Sequence, residues 1–80
     1  MPTLSRIDGL RVMIYPHDHP PPHVHVIGRG REAVFLLPGL DNPLVLRENV
    51  GFSRMDIRRI RHGLEPEIPA LCAAWESIHG

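Results

Sequence analysis

Apolar and polar residues alternate through the first half of the chain and recur at helical spacing in the second. Leu10, Val12 and Ile14 share one parity, and Arg11, Met13 and Tyr15 the other, which predicts a strand over Leu10–Tyr15. Pro16–Pro22 cannot continue it. Proline lacks the N–H that a ladder needs and pushes its predecessor toward extended geometry, so a stiff, extended loop is expected there. A second strand starts at His23. Its alternation sets His23, His25 and Ile27 on one face and Val24 and Val26 on the other, the valines marking the core side. Gly28-Arg29-Gly30 reads as a turn and Arg31–Leu37 as a third strand rich in β-formers. Pro38-Gly39 closes that strand, Leu40–Pro43 forms another turn, and Leu44–Arg47 adds a short fourth strand.

The period then changes. Ser53-Arg54-Met55-Asp56 has the form of a capping box, a serine with an acid three residues on. Ile57, Ile60 and Leu64 follow at helical spacing, and Gly63 is a plausible stop. A second helix is expected from near Pro66 to Ile78, because proline is tolerated in a first turn. Ile68, Leu71, Trp75 and Ile78 would be its buried stripe, with Trp75 the anchor between helix and sheet. Strands at about 10–47 and helices at about 54–62 and 66–78 describe one domain over residues 1–80. The expected class is α+β: an antiparallel meander of three to four strands with two C-terminal helices packed on one face. A sheet this small needs such a cover.

Composition narrows the function classes. The apolar fraction of 42% suits a folded globule. The single cysteine, Cys72, excludes an internal disulfide and a cysteine-rich zinc site, and reads as a small core hydrophobe. With no leader pattern and no apolar run of membrane-spanning length, a soluble cytoplasmic protein without a membrane role is the expectation. The formal net charge is zero, so bulk charge gives no reason to expect nucleic acid. All nine basic residues are arginine, whose planar fork suits carboxylate and phosphate.

The chemistry concentrates at one place. His17, His19, His23 and His25 put four of the six histidines within nine residues. His23 and His25 project from one strand face, about 7 Å apart by strand rise. Imidazoles so placed can share zinc, nickel or copper, with His19, or else His17, folding back as a third ligand. The same pair could divide acid and base roles in metal-free RNA cleavage. Arg54, Arg58 and Arg61, a stripe beside the apolar face of the first helix, would then hold phosphate of RNA or DNA. The competing reading is structural: imidazole N–H groups bonding backbone carbonyls of the proline loop, and a solvated arginine face paired with Glu65 or Asp56.

Met1-Pro2-Thr3, Arg6-Ile7 and Gly9-Leu10 at the start, Asp18-His19-x-Pro21-Pro22-His23-Val24-His25-Val26 in the middle, and Gly51-Phe52-Ser53-Arg54 before a helix pair carrying Trp75 together resemble a bacterial family, domain of unknown function 4160. Pro66 and Pro69 depart from the family's pattern, which reads there as a smooth charged helix. The resemblance implies a small intracellular protein, often encoded beside a second small protein and suspected of membership in toxin–antitoxin pairs. It carries no catalytic residues across; His19, Pro21, Pro22, His23 and His25 match only as its hallmark. The leading expectation is an interaction protein that docks on a partner encoded nearby, through an exposed sheet edge. Whether it is an enzyme, and whether it forms a homo-oligomer, are open at this level. The alternatives are a ribonuclease or phosphodiesterase using His23 and His25 with the arginine stripe, and a histidine-cluster metal protein.

Overall fold

Two left-handed turn residues in a row set each of the first and third hairpins. In the computed structural model, which describes residues 4–38 and 43–79, Asp8 and Gly9 have φ of 51° and 79°, and Arg29 and Gly30 have φ of 56° and 72°. Positive φ at both central residues suits the right-handed twist of flanking strands, which is why such two-residue turns make hairpins. They join β1 (Ser5–Ile7) to β2 (Leu10–Met13) and β3 (His23–Gly28) to β4 (Arg31–Leu36). A fifth strand, β5 (Val45–Val50), completes an all-antiparallel meander in the order β1-β2-β3-β4-β5.

The α+β architecture is as expected, but the sheet has five strands instead of three or four. β1 was hidden because three residues are too short to show alternation, although Asp8-Gly9 marks its turn. The last strand runs to Val50, beyond the expected Arg47. The turn expected over Leu40–Pro43, like Gly39 and the opening Met1-Pro2-Thr3, lies outside the described residues except for Pro43.

The two expected helices are joined. α1 (Arg54–Leu64) runs through a 3-10 turn at Glu65–Glu67 directly into α2 (Ile68–His79). The capping box at its start is present: Ser53 Oγ accepts from the Asp56 N–H at 3.1 Å, and Asp56 Oδ2 accepts from the Ser53 N–H at 3.2 Å. Pro66 falls in the 3-10 turn, where a missing N–H costs little, and the chain stays helical. Gly63 does not stop the helix. It lies inside α1 at a close approach to the sheet, where a Cβ would stand 2.7 Å from Ile7 Cγ2. No helix among the described residues is long and apolar enough to cross a membrane.

Cross-strand register divides the sheet into two faces. Val12, Val26 and Ala33 align on one, and Val24 opposite Phe35 continues it. These residues are fully buried and cluster with Ile60, Leu64, Leu71 and Trp75 of the helical segment. Trp75 is thus the expected anchor, and Cys72 packs at the edge of the same cluster. The other face carries Met13, His25 and Val34 in one row and His23 with Leu36 in the next. It is covered at one end by the Tyr15–Pro22 loop, whose far end is tied down by the Leu37 N–H donating to the Pro22 carbonyl at 2.9 Å.

Candidate metal centre

The alternation of β3 places Val24 and Val26 in the core and turns the imidazoles of His23 and His25 to the opposite face together. Their ring centroids are 5.2 Å apart, at 68°. Both are largely enclosed, with side chains 8% and 14% exposed. Tyr15 meets the His25 ring edge-on at 4.8 Å, and the Trp75 indole lies 5.3 Å from the His23 ring. The face is therefore a covered recess, not an open strand surface.

The loop delivers the third member. After Pro16 the chain turns so that the Asp18 N–H donates to the Tyr15 carbonyl at 3.1 Å, while the Tyr15 N–H donates to Asp18 Oδ2 at 2.9 Å. This reciprocal pair, typical of Asp in turns, fixes the carboxylate over the two rings. His25 Nε2 is 3.1 Å from each Asp18 oxygen, and His23 Nε2 is 3.4 Å from Oδ1. Burial alone would push the Asp18 carboxyl up; the Tyr15 N–H, the His25 hydrogen bond and the charges of His25 and His23 outweigh it and hold it below the usual value of 3.8.

The outer nitrogens are held as well. His23 Nδ1 lies 2.8 Å from the Pro21 carbonyl, which only accepts, so Nδ1 carries the proton. In the neutral ring, Nε2 then presents its lone pair toward Asp18. His25 Nδ1 lies 3.0 Å from Glu32 Oε2 and is fixed the same way when it donates there. A metal-binding histidine characteristically donates its other N–H to a carbonyl or carboxylate, and both partners are in place here. One ligand atom from each of Asp18, His23 and His25 lies within 4.8 Å of the others, so these three could hold a metal ion.

His17 and His19, offered by the sequence as third ligands, are exposed and line the same hollow of about 350 Å³, but they are not members of that group of three. The residue between them, Asp18, is. Arg54, Arg58 and Arg61 lie elsewhere. Arg61 donates to the Leu44 carbonyl and sits 5.6 Å over the Phe35 ring, on the helix-covered face. Arg54 and Arg58 border a separate recess with it. The stripe and the histidines line different recesses, so the structure does not bring them together around one phosphate. Nor does Asp56 pair with the stripe: its ion-pair partner is Arg31, at 3.7 Å.

Two residues of the centre escape a reading of the sequence for ligands. Asp18 stands between two histidines that draw attention from it; the signal was a turn-forming acid just past Pro16. Glu32 was legible in principle, because the Gly28–Gly30 turn pairs His25 with Val34 and sets Glu32 diagonally beside it on the same face.

The family model described as domain of unknown function (DUF4160) matches residues 9–76. No curated protein and no solved structure matches the chain. The chain belongs to that family, whose description assigns no activity.

Proposed function

We propose that this protein binds a divalent transition-metal ion through His23 Nε2, His25 Nε2 and the Asp18 carboxylate. One observation carries the reading: three converging ligand atoms within 4.8 Å, each on a side chain whose orientation is fixed by a further hydrogen bond. Ligands about 2.0–2.1 Å from a tetrahedral zinc stand roughly 3.4 Å from one another. The two Asp18–histidine separations, 3.1 and 3.4 Å, are already close to that edge. Two imidazoles and one carboxylate suit zinc, nickel or copper. Three protein ligands also leave a position for water or a ligand, the arrangement of reactive sites; purely structural zinc sites are closed.

Tag-free protein, stripped with chelator and titrated with zinc, nickel and copper in a calorimeter, tests this. One ion per chain is expected, with affinity falling roughly 10-fold or more in Asp18→Ala and His25→Ala. Stripped protein that takes up none of the three ions would overturn the reading.

A second reading, a partner-docking protein of the toxin–antitoxin type, is favoured by β5. Among the described residues this strand pairs only with β4, and Val45 and Val50 on it are 41% and 56% exposed. An open strand edge flanked by exposed valines can accept a strand from another protein. Co-expression with the adjacent gene product should give a fixed-ratio complex that survives a sizing column; separate elution argues against it.

A further inference from the structure

β5 carries a bulge that concerns the same recess. Val34 faces Glu48 while the next residue, Phe35, faces Leu46, so Arg47 is the extra residue on the bulged strand. In a regular strand Arg47 and Glu48 would point to opposite faces. A bulge re-aims side chains locally, and here both line the histidine hollow. Bulges are enriched beside functional sites for this reason. Among the described residues Arg47 makes no ion pair, although Glu32 and Glu48 border the same hollow. Glu32 is engaged with His25. An unpaired guanidinium thus stands on the rim of the hollow that holds Asp18, His23 and His25.

Resting on the metal reading above, we infer that the loaded centre takes a phosphate monoester, one oxygen on the metal and others in the fork of Arg47. Neutral imidazoles leave a divalent ion only half neutralised by Asp18, and Arg47 adds a second positive group; Glu32, held by His25, and Glu48 border the hollow with the opposite charge, so the attraction is local to the metal and the guanidinium. The guanidinium fork matches phosphate geometry in two parallel hydrogen bonds. At neutral pH a phosphate monoester, with its second pKa at about 6, is mostly a dianion with three free oxygens, so one on the metal leaves two for the Arg47 fork. A carboxylate brings one charge and two oxygens and cannot fill the metal position and the whole fork together. The site therefore favours phosphate over carboxylate.

The test uses zinc-loaded protein titrated with phenyl phosphate, with benzoate as the carboxylate of similar ring, and the cobalt(II) form to read the metal's spectrum. Phenyl phosphate should bind and shift the cobalt bands. Binding should weaken roughly tenfold or more in Arg47→Ala, as loss of a charged hydrogen-bond pair requires, while zinc affinity stays unchanged. Benzoate should bind more weakly, and metal-free protein should bind neither. If zinc binds but phenyl phosphate does not, or Arg47→Ala binds it equally well, this inference fails and the metal site stands. Equal phenyl phosphate affinity with and without zinc, or benzoate affinity equal to that of phenyl phosphate, also overturns it. If zinc itself is not bound, the metal reading and this one fall together.

Discussion

The two faces of the sheet are built by the same strands and do different physical work. On the helix-covered face, Val12, Val24, Val26, Ala33 and Phe35 are fully buried among aliphatic and aromatic partners. Burial there is non-directional, worth about 25 cal/mol per Å² of apolar surface, and tolerant of shape so long as volume is kept. On the loop-covered face, His23 and His25 occupy the intervening positions of β3 and are enclosed to nearly the same degree. Beside the Tyr15 and Trp75 rings, their polar neighbours are oxygen acceptors at fixed directions: the Pro21 carbonyl, Glu32 and Asp18. Polar groups in such surroundings are costly unless every bond is made. One strand thus supplies stability with its even positions and a directed donor set with its odd ones. The difference teaches that enclosure alone does not distinguish core from site; the chemistry of what encloses the side chain does.

Substitutions should separate the faces. Phe35→Ala has the largest expected effect, about 3–5 kcal/mol lost in denaturant unfolding, because a fully buried aromatic leaves a cavity. If the variant stays folded, its zinc affinity should match that of the wild type. Gly63→Val comes next. Its Cβ would crowd three atoms of Ile7 at 2.7–3.3 Å, and overpacking of this kind costs about 1–3 kcal/mol. A stability equal to the wild type would mean that α1 and β1 do not approach so closely. Ser53→Ala removes one half of the capping box and should cost about 1 kcal/mol, with no change at the metal centre.

Asp18→Asn sharpens the comparison from the other side. The carboxyl is held below its ordinary value in the folded chain, so the unfolded chain binds the proton more readily. Its stabilising contribution is therefore complete above about pH 4, its unfolded value, and is lost as the pH falls through the lower folded value. Acid unfolding of Asp18→Asn followed by circular dichroism should show a shallower loss of stability below about pH 4 than the wild type. An identical acid limb would mean that the Asp18 contacts contribute nothing in solution.

Much of the helix-covered face was legible in the sequence, and little of the other. Alternation at Val24 and Val26, the capping box at Ser53 and the anchor role of Trp75 are local or periodic features, and periodicity survives without knowledge of the third dimension. β1 was too short to be periodic. The break expected at Gly63 did not occur, because the packing of α1 on Ile7 gives that glycine a different purpose. The common direction of His23 and His25 follows from the same alternation. The partner of both does not: it depends on how a turn at Tyr15–Asp18 folds the proline loop back over the sheet, a long-range event that favoured Asp18 over the more conspicuous His17 and His19. The distance between the histidines and the arginine stripe was equally non-local. Both features are real, but they line separate recesses.

The central claim is that Asp18, His23 and His25 jointly hold one metal ion. X-ray absorption fine structure at the zinc edge of the loaded, tag-free protein tests it most directly. The expected spectrum has two imidazole nitrogens and light oxygen ligands at about 2.0–2.2 Å, with the imidazole signal reduced to one ring in His23→Ala and in His25→Ala. A spectrum with a sulfur scatterer near 2.3 Å, or one whose imidazole content is untouched by both substitutions, would contradict the claim.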